Sequence, residues 1–354
     1  MSRILPTGPG LRGPSGKPSR KKEWRGRVKI LFATDVHGSD VCFRKFLNAL
    51  KIYKVDVGIL LGDLCGKMIN PIIKQPDGTH LAHFLGQRRK LKNDEELEIM
   101  QKEIAAMGNY SVLMSRNEME VLKAEGKTVE GRIDERAAQI SLSAGKVEEL
   151  FKKLSLERLE SWMRLAEERL EGSGIELFMA PGNDDILEMD TIIDGSSYVV
   201  NADDRKTEIH GHEMITLSWS NPTPWDTPRE CSEQELEQKI ERLVSTVEDM
   251  ENAIFNFHAP PHGTMLDQCP KLSKDLVPST DETTSAGSAA VLSAIKTYQP
   301  LLGLHGHIHE SRAVQKIGRT TCINPGSEYT EAILRAALIT LEKNKVKNYM
   351  FVGG

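Results

Sequence analysis

Val28-Lys29-Ile30-Leu31-Phe32-Ala33-Thr34-Asp35-Val36-His37-Gly38 is the stretch on which the fold turns. A largely apolar, β-prone run stops abruptly at an aspartate and a histidine. It therefore reads as a buried strand with polar groups at its C-terminal end. Phe43, Phe46, Leu47 and Leu50 follow at helical spacing. Residues 55–61 (VDVGILL) then repeat the pattern and deliver Gly62-Asp63 at their end. Strand, helix, strand in this order predicts a parallel βαβ unit and an α/β fold.

Strand logic returns farther along the chain. Residues 175–180 (IELFMA) run into Gly182-Asn183-Asp184-Asp185, residues 253–257 (AIFNF) into His258, and residues 300–304 into His305-Gly306-His307-Ile308-His309. Further strands are expected at 198–201, 213–219, 313–317, 319–323, 336–341 and 346–351, and a helix capped by Ser232 at 233–247. Pro76-Asp77-Gly78 marks a hairpin turn within 72–84. The texture changes at 87–172, which is dense in Glu, Lys, Arg and Leu, with Leu159, Trp162, Met163, Ala166 and Leu170 at helical spacing. We expect a helical insertion there, acting as a cap or a dimerisation element, between core segments 28–86 and 173–354. Residues 1–27, rich in Gly, Pro, Arg and Lys, are expected to be a disordered basic tail: a solvated extension, or a weak anchor for RNA or another polyanion.

Composition narrows the function. A chain of 354 residues exceeds the usual single-domain size, which implies a large core plus an added piece. With 39% hydrophobic and 27% charged residues it has a soluble globular composition. A formal charge of −5 argues against the basic surface that drives nucleic-acid binding. The five cysteines, Cys42, Cys65, Cys231, Cys269 and Cys322, are odd in number and nowhere form C-x-x-C. They read as reduced thiols rather than a disulfide framework or a zinc site. No run approaches the ~18 apolar residues of a membrane span, and no signal-peptide core is visible. The expectation is a cytoplasmic protein with no membrane partner.

Asp-x-His, Gly-Asp, Gly-Asn, a lone His and Gly-His-x-His are each weak alone. Here all five occur in order, each just after an expected strand, so one sheet system can bring them to one edge. Asp35, His37, Asp63, Asn183, His258, His307 and His309 supply oxygen and nitrogen donors suited to borderline divalent ions, enough for two. These blocks resemble the calcineurin-like metallophosphoesterase family over roughly residues 28–330 outside the helical segment. Within it they are most similar to the Icc-related branch of predicted phosphoesterases, through Gly62-Asp63-Leu64-Cys65-Gly66-Lys67, the stretch from Thr223 to Glu230, and Asn324-Pro325-Gly326-Ser327.

The resemblance implies a four-layer αββα sandwich and a dinuclear centre bridged by Asp63. Asp35, His37 and His309 would complete one site, and Asn183, His258 and His307 the other. Two divalent cations, Mn²⁺ first and Zn²⁺, Fe or Ni²⁺ as alternatives, would activate water as hydroxide for attack on a phosphate mono- or diester. A phosphorylated small molecule is the expected substrate, and self-association stays open. The alternative is a non-catalytic metal-binding scaffold with the same fold. Where many family members place a histidine after the Asn, this chain has Asp184. It is either a proton donor raised in pKa by burial or by Asp185, or a structural group. His262 is either a phosphate contact or an ordinary loop histidine. His305 reads as a support for the ligands, Cys65 as packing, and His210 and His212 as surface residues.

Overall fold

The computed structural model describes residues 26–119 and 144–354, and the tail expected at 1–27 lies outside them except for its last two residues. The chain opens with β1 (Val28–Thr34), α1 (Asp40–Ile52), β2 (Val57–Leu61), β3 (Ile69–Lys74), β4 (His80–Phe84), β5 (Gln87–Leu91), α2 (Asp94–Ala106) and β6 (Tyr110–Ser115). It continues through α3 (Ala144–Leu170), β7 (Glu176–Ala180), α4 (Met189–Asp194), β8 (Val200–Asn201), β9 (Arg205–Ile209), β10 (His212–Leu217) and α5 (Glu233–Val244). Then come β11 (Ile254–Phe257), β12 (Gln268–Leu272), β13 (Pro278–Ser285), α6 (Ala289–Tyr298), β14 (Leu302–Leu304), β15 (Ala313–Ile317), β16 (Thr320–Asn324), β17 (Arg335–Glu342) and β18 (Lys345–Gly353).

Two six-stranded sheets carry the molecule, in the orders β18-β17-β1-β2-β7-β8 and β15-β16-β14-β11-β10-β9. β1, β2, β7 and β8 run parallel, as do β10, β11, β14 and β16, and antiparallel strands occupy the other flanks. Strand alternation explains the layering. Ile30, Phe32, Ile59 and Phe178 pack against Met214, Ile254, Leu302 and Ile323 of the other sheet. Their neighbours Leu31, Ala33, Leu60 and Met179 face α1 and α3 through Phe46, Leu50, Trp162 and Ala166. On the far side, Ile215, Phe255 and Phe257 meet Leu236 and Ile240 of α5 and Val291 and Ile295 of α6. The order of layers is helices, sheet, sheet, helices. Strands covered on both faces need apolar residues at every position, which is why their sequences read as continuous runs.

Among its described residues, the segment 87–172 is not the purely helical insertion expected. β5 and β6 lie inside it and join the hairpin β3–β4 in a four-stranded sheet of order β5-β4-β3-β6. α2 covers that sheet with Leu97, Met100 and Ile104 against Ile72, Ala82 and Phe84. α3 belongs to the core: its Trp162 stacks on Phe43 of α1 with ring centroids 4.3 Å apart, and its indole N–H donates to Asp40 Oδ1 at 3.1 Å. The misreading has a physical source. β5 (QRRKL) is a charged strand at the sheet edge and lacks the apolar alternation that marks a strand. Among the described residues, no helix is long and apolar enough to cross a membrane.

Candidate metal centre

Five parallel strands end at one edge of the sandwich. Asp35 and His37 follow β1, Asp63 follows β2, Asn183 follows β7, His258 follows β11, and His307 and His309 follow β14. The turns that leave these strands are sharp. Asp35, His37, Asp63 and His307 adopt left-handed φ values of 51°, 41°, 40° and 68°. For non-glycine residues such backbone costs on the order of 1–3 kcal/mol each and persists where the surroundings over-determine it. Gly62 (φ 74°) is needed for a second reason: a Cβ there would lie 2.1 Å from His258 Nδ1.

The seven side chains converge in two groups that share Asp63. Donor atoms of Asp35, His37, Asp63 and His309 lie within 4.8 Å of one another, and so do those of Asp63, His258 and His307. The two oxygens of Asp63 divide between the groups, with Oδ2 3.5 Å from His37 Nε2 and Oδ1 3.5 Å from His258 Nε2. Asn183 joins the second group, its Oδ1 lying 2.9 Å from His258 Nε2 and 2.7 Å from His307 Nδ1. Across the first group, His37 Nε2 and His309 Nε2 are 3.0 Å apart. The facing atoms are carboxylate and amide oxygens and imidazole nitrogens, nearly all lone-pair donors. That set fits borderline dications.

Electrostatics in the protein without ions agree. Burial would raise the Asp35 carboxyl, but His258 and His309 hold it down to about 2. Asp63 lies well below the usual carboxylate range, because His258 and His37 outweigh its burial. Burial and the Lys67 charge depress His37, and burial and His258 take His307 down to about 4, so both are neutral and able to ligate. His258 is the exception: its burial is outweighed by Asp63 and Asp35, which lift it to about 9.

A second set of residues fixes these donors, and sequence reading assigned most of it no role. Asp185 accepts backbone N–H bonds from Leu64 (2.8 Å), Cys65 (2.6 Å) and Gly182 (2.8 Å), tying the Asp63 turn to the Asn183 turn. Ser327 donates its hydroxyl to the carbonyl of Asp35 at 2.6 Å. Asn324 donates to the carbonyls of Gly306 and Ile308, which flank His307. Asn183 donates its amide to Thr227 Oγ1 at 2.8 Å, and Thr227 is itself held by Glu230. His305, expected as a support, places Nδ1 3.0 Å from the Phe257 carbonyl and 3.1 Å from that of Ala259, on either side of His258. Cys65 packs in the apolar core, 3.6 Å from the sulfur of Met189. Tyr329 lies against His37 with ring centroids 4.5 Å apart.

The structure places two further candidates and overturns one expectation. Asp184 is paired with Lys67, Nζ to Oδ2 at 2.6 Å, and its backbone N–H donates to Asp63 Oδ1 at 3.0 Å. A carboxylate held by an ammonium accepts its hydrogen bonds. His262 belongs to neither donor group; its ring is half exposed and faces Asp267 at 3.7 Å. His210 and His212, expected at the surface, are buried. Gly211 between them is exposed, but both rings turn inward, with His212 Nδ1 3.0 Å from the Asn252 carbonyl and His210 Nε2 3.3 Å from Glu176.

No family model matches the chain. Over 153 residues the chain is 31% identical to an uncharacterized protein of Methanocaldococcus jannaschii, a match covering 43% of this chain and 64% of that protein's length. A solved structure overlies 92% of this chain and 98% of its own at a TM-score of 0.55 and 15% identity, a likeness that shows the α/β fold alone. A Thermus thermophilus protein of solved structure overlies the same share at 14% identity and a TM-score of 0.48.

Proposed function

We propose that the chain is a metal-dependent phosphoesterase of the calcineurin-like kind, its layers forming the αββα sandwich of that family. The observation that carries this reading is the sharing of Asp63 between two buried donor groups, one oxygen toward each. Asp35, His37, Asp63 and His309 would hold one divalent cation, and Asp63, Asn183, His258 and His307 a second, with Mn²⁺ the first choice. Such a pair lowers the pKa of bound water and neutralises phosphoryl oxygens during in-line attack. The protein's share is orientation. Asp185, Asn324 and Ser327 fix the turns, and the surrounding sheets bury all of the donors except the partly exposed His307 and His309. The experiment is hydrolysis of p-nitrophenyl phosphate and bis-p-nitrophenyl phosphate by metal-stripped protein resupplied with Mn²⁺, Zn²⁺ or Ni²⁺. Turnover restored by metal and absent from Asp63→Asn supports the reading, whereas turnover that ignores both metal and Asp63 refutes it.

A further inference from the structure

The loop 221–230 touches the metal centre without giving it a ligand. A bridge between Ser220 and Glu230 closes its base. One arm lies on Asn183: Arg229 N–H donates to the Asn183 carbonyl at 3.0 Å, and the Asn183 amide donates to Thr227 Oγ1 at 2.8 Å. Glu230 ties the two arms together, accepting the backbone N–H of Thr223 at 2.8 Å, that of Thr227 at 3.0 Å, and both threonine hydroxyls. Pro222, Pro224 and Pro228 restrict the backbone further. Trp225 stands in the turn between the arms, its own N–H donating to Thr223 Oγ1 at 3.2 Å, and it is 62% exposed. Trp219 offers a contrast, since it packs on the apolar core and carries the Lys239 ammonium 4.1 Å from its ring centroid. A large aromatic surface is thus held in water on a backbone that has little freedom left.

We propose that Trp225 is a specificity-determining residue of this centre, its indole stacking on an aromatic ring carried by the phosphate ester. Two residues of chain span at most about 7 Å, so Trp225 stands within that reach of Thr227, which bonds directly to Asn183. The donors are mostly buried, so the organic group of an ester seated among them points to solvent, past the loop that borders Asn183. Preorganisation favours capture there, because the Glu230 hydrogen bonds have already removed freedom that an ordinary loop would lose on binding. A ring is preferred to a sugar or an alkyl chain because stacking adds quadrupole attraction to the burial of apolar area. This assignment rests on the phosphoesterase reading and names the class of ester it takes: one whose organic group is an aryl ring or a nucleobase.

The test is calorimetric titration of Mn²⁺-loaded protein with two matched pairs, phosphate release and metal content being followed on the same samples. AMP is compared with the ribose phosphate left when its base is removed, and benzylphosphonate with methylphosphonate. Wild type is expected to bind the ring-bearing member of at least one pair more tightly; preference for AMP marks a nucleobase and preference for benzylphosphonate an aryl group. Trp225→Ala is expected to weaken that member about 5- to 100-fold, with its ring-free counterpart and the metal content unchanged. Trp225→Phe, which keeps a ring, is expected to recover most of the loss. An equal loss for both members of the pair means a disturbed loop rather than stacking and overturns the assignment, as does a wild type with no preference for the ring in either pair. If that wild type still hydrolyses the nitrophenyl esters, only Trp225 is wrongly assigned. A ring preference that Trp225→Ala abolishes, in protein that hydrolyses no ester, sustains the ring subsite and overturns the phosphoesterase reading.

Discussion

The carboxylate of Asp185 accepts the backbone N–H of Cys65 at 2.6 Å, across 120 residues of chain. With Leu64 and Gly182 bound by the same carboxylate, one side chain sets the separation of the turns that carry Asp63 and Asn183. Asp185→Asn places an NH₂ group against one of these N–H donors and leaves a buried donor without a partner. The expected cost is roughly 1–3 kcal/mol of stability and a fall of about 10- to 100-fold in metal affinity. Chemical denaturation and metal titration of the same variant measure the two effects. A variant with wild-type metal affinity would show that Asp185 only packs.

Proton release on metal uptake follows from His258. Its imidazole is raised from 6.5 to about 9, burial being outweighed by Asp63 and Asp35, so in metal-free protein it is charged near neutral pH. An imidazole must lose that proton to ligate a metal. Metal binding near neutral pH is therefore expected to expel about one proton from this residue, and affinity is expected to rise with pH up to about 9. The same shift stabilises the metal-free fold. A folded-state pKa above the unfolded one gives stability fully present below pH 6.5 and lost as the pH climbs through about 9. Calorimetry in buffers of different ionisation enthalpy counts the proton, and denaturation of metal-free protein across that window checks the second effect.

Arg229 is almost wholly buried and binds Asp190 Oδ2 at 2.9 Å, Asp203 Oδ2 at 3.2 Å and the carbonyls of Asp185 and Ile186. Removing one partner of a buried ion pair leaves the other uncompensated, which costs about 3–5 kcal/mol. Arg229→Met is expected to lose stability on that scale. Burial, opposed by Arg229, already lifts the Asp203 carboxyl to about 6. Its charged form is the one penalised by the fold, so the deficit of Arg229→Met should be largest above pH 6 and shrink as the pH falls toward 4. Denaturation midpoints at several pH values decide it.

Gly62→Ala is a steric probe of one half of the centre. A Cβ at this position meets His258 Nδ1 at 2.1 Å, on a backbone with φ 74°. Displacing that ring is expected to damage the group formed by Asp63, Asn183, His258 and His307 more than the one completed by Asp35, His37 and His309. The expected outcome is loss of one of two metals, read by elemental analysis. Retention of both would mean that His258 is not a ligand.

Sequence made the seven donors legible because each follows a strand whose apolar run announces itself. What it hid has physical causes. Asp185, Ser327 and Asn324 act through partners that lie in turns distant in the chain, and no local spacing records that. β5 and the hairpin β12–β13 are largely polar and solvent-facing, so neither shows the alternation of a half-buried strand. His210 and His212 sit in a polar, turn-like stretch, and only tertiary packing against Asn252 and Glu176 buries them.

The most direct measurement is the number of metal ions held per chain by wild type and by Asp63→Asn, determined by elemental analysis after dialysis against Mn²⁺. A shared carboxylate between two sites predicts two ions in the wild type and loss of at least one, together with ester hydrolysis, in the variant. One ion or none in the wild type, or two retained by Asp63→Asn with hydrolysis intact, would contradict a dinuclear centre built on Asp63.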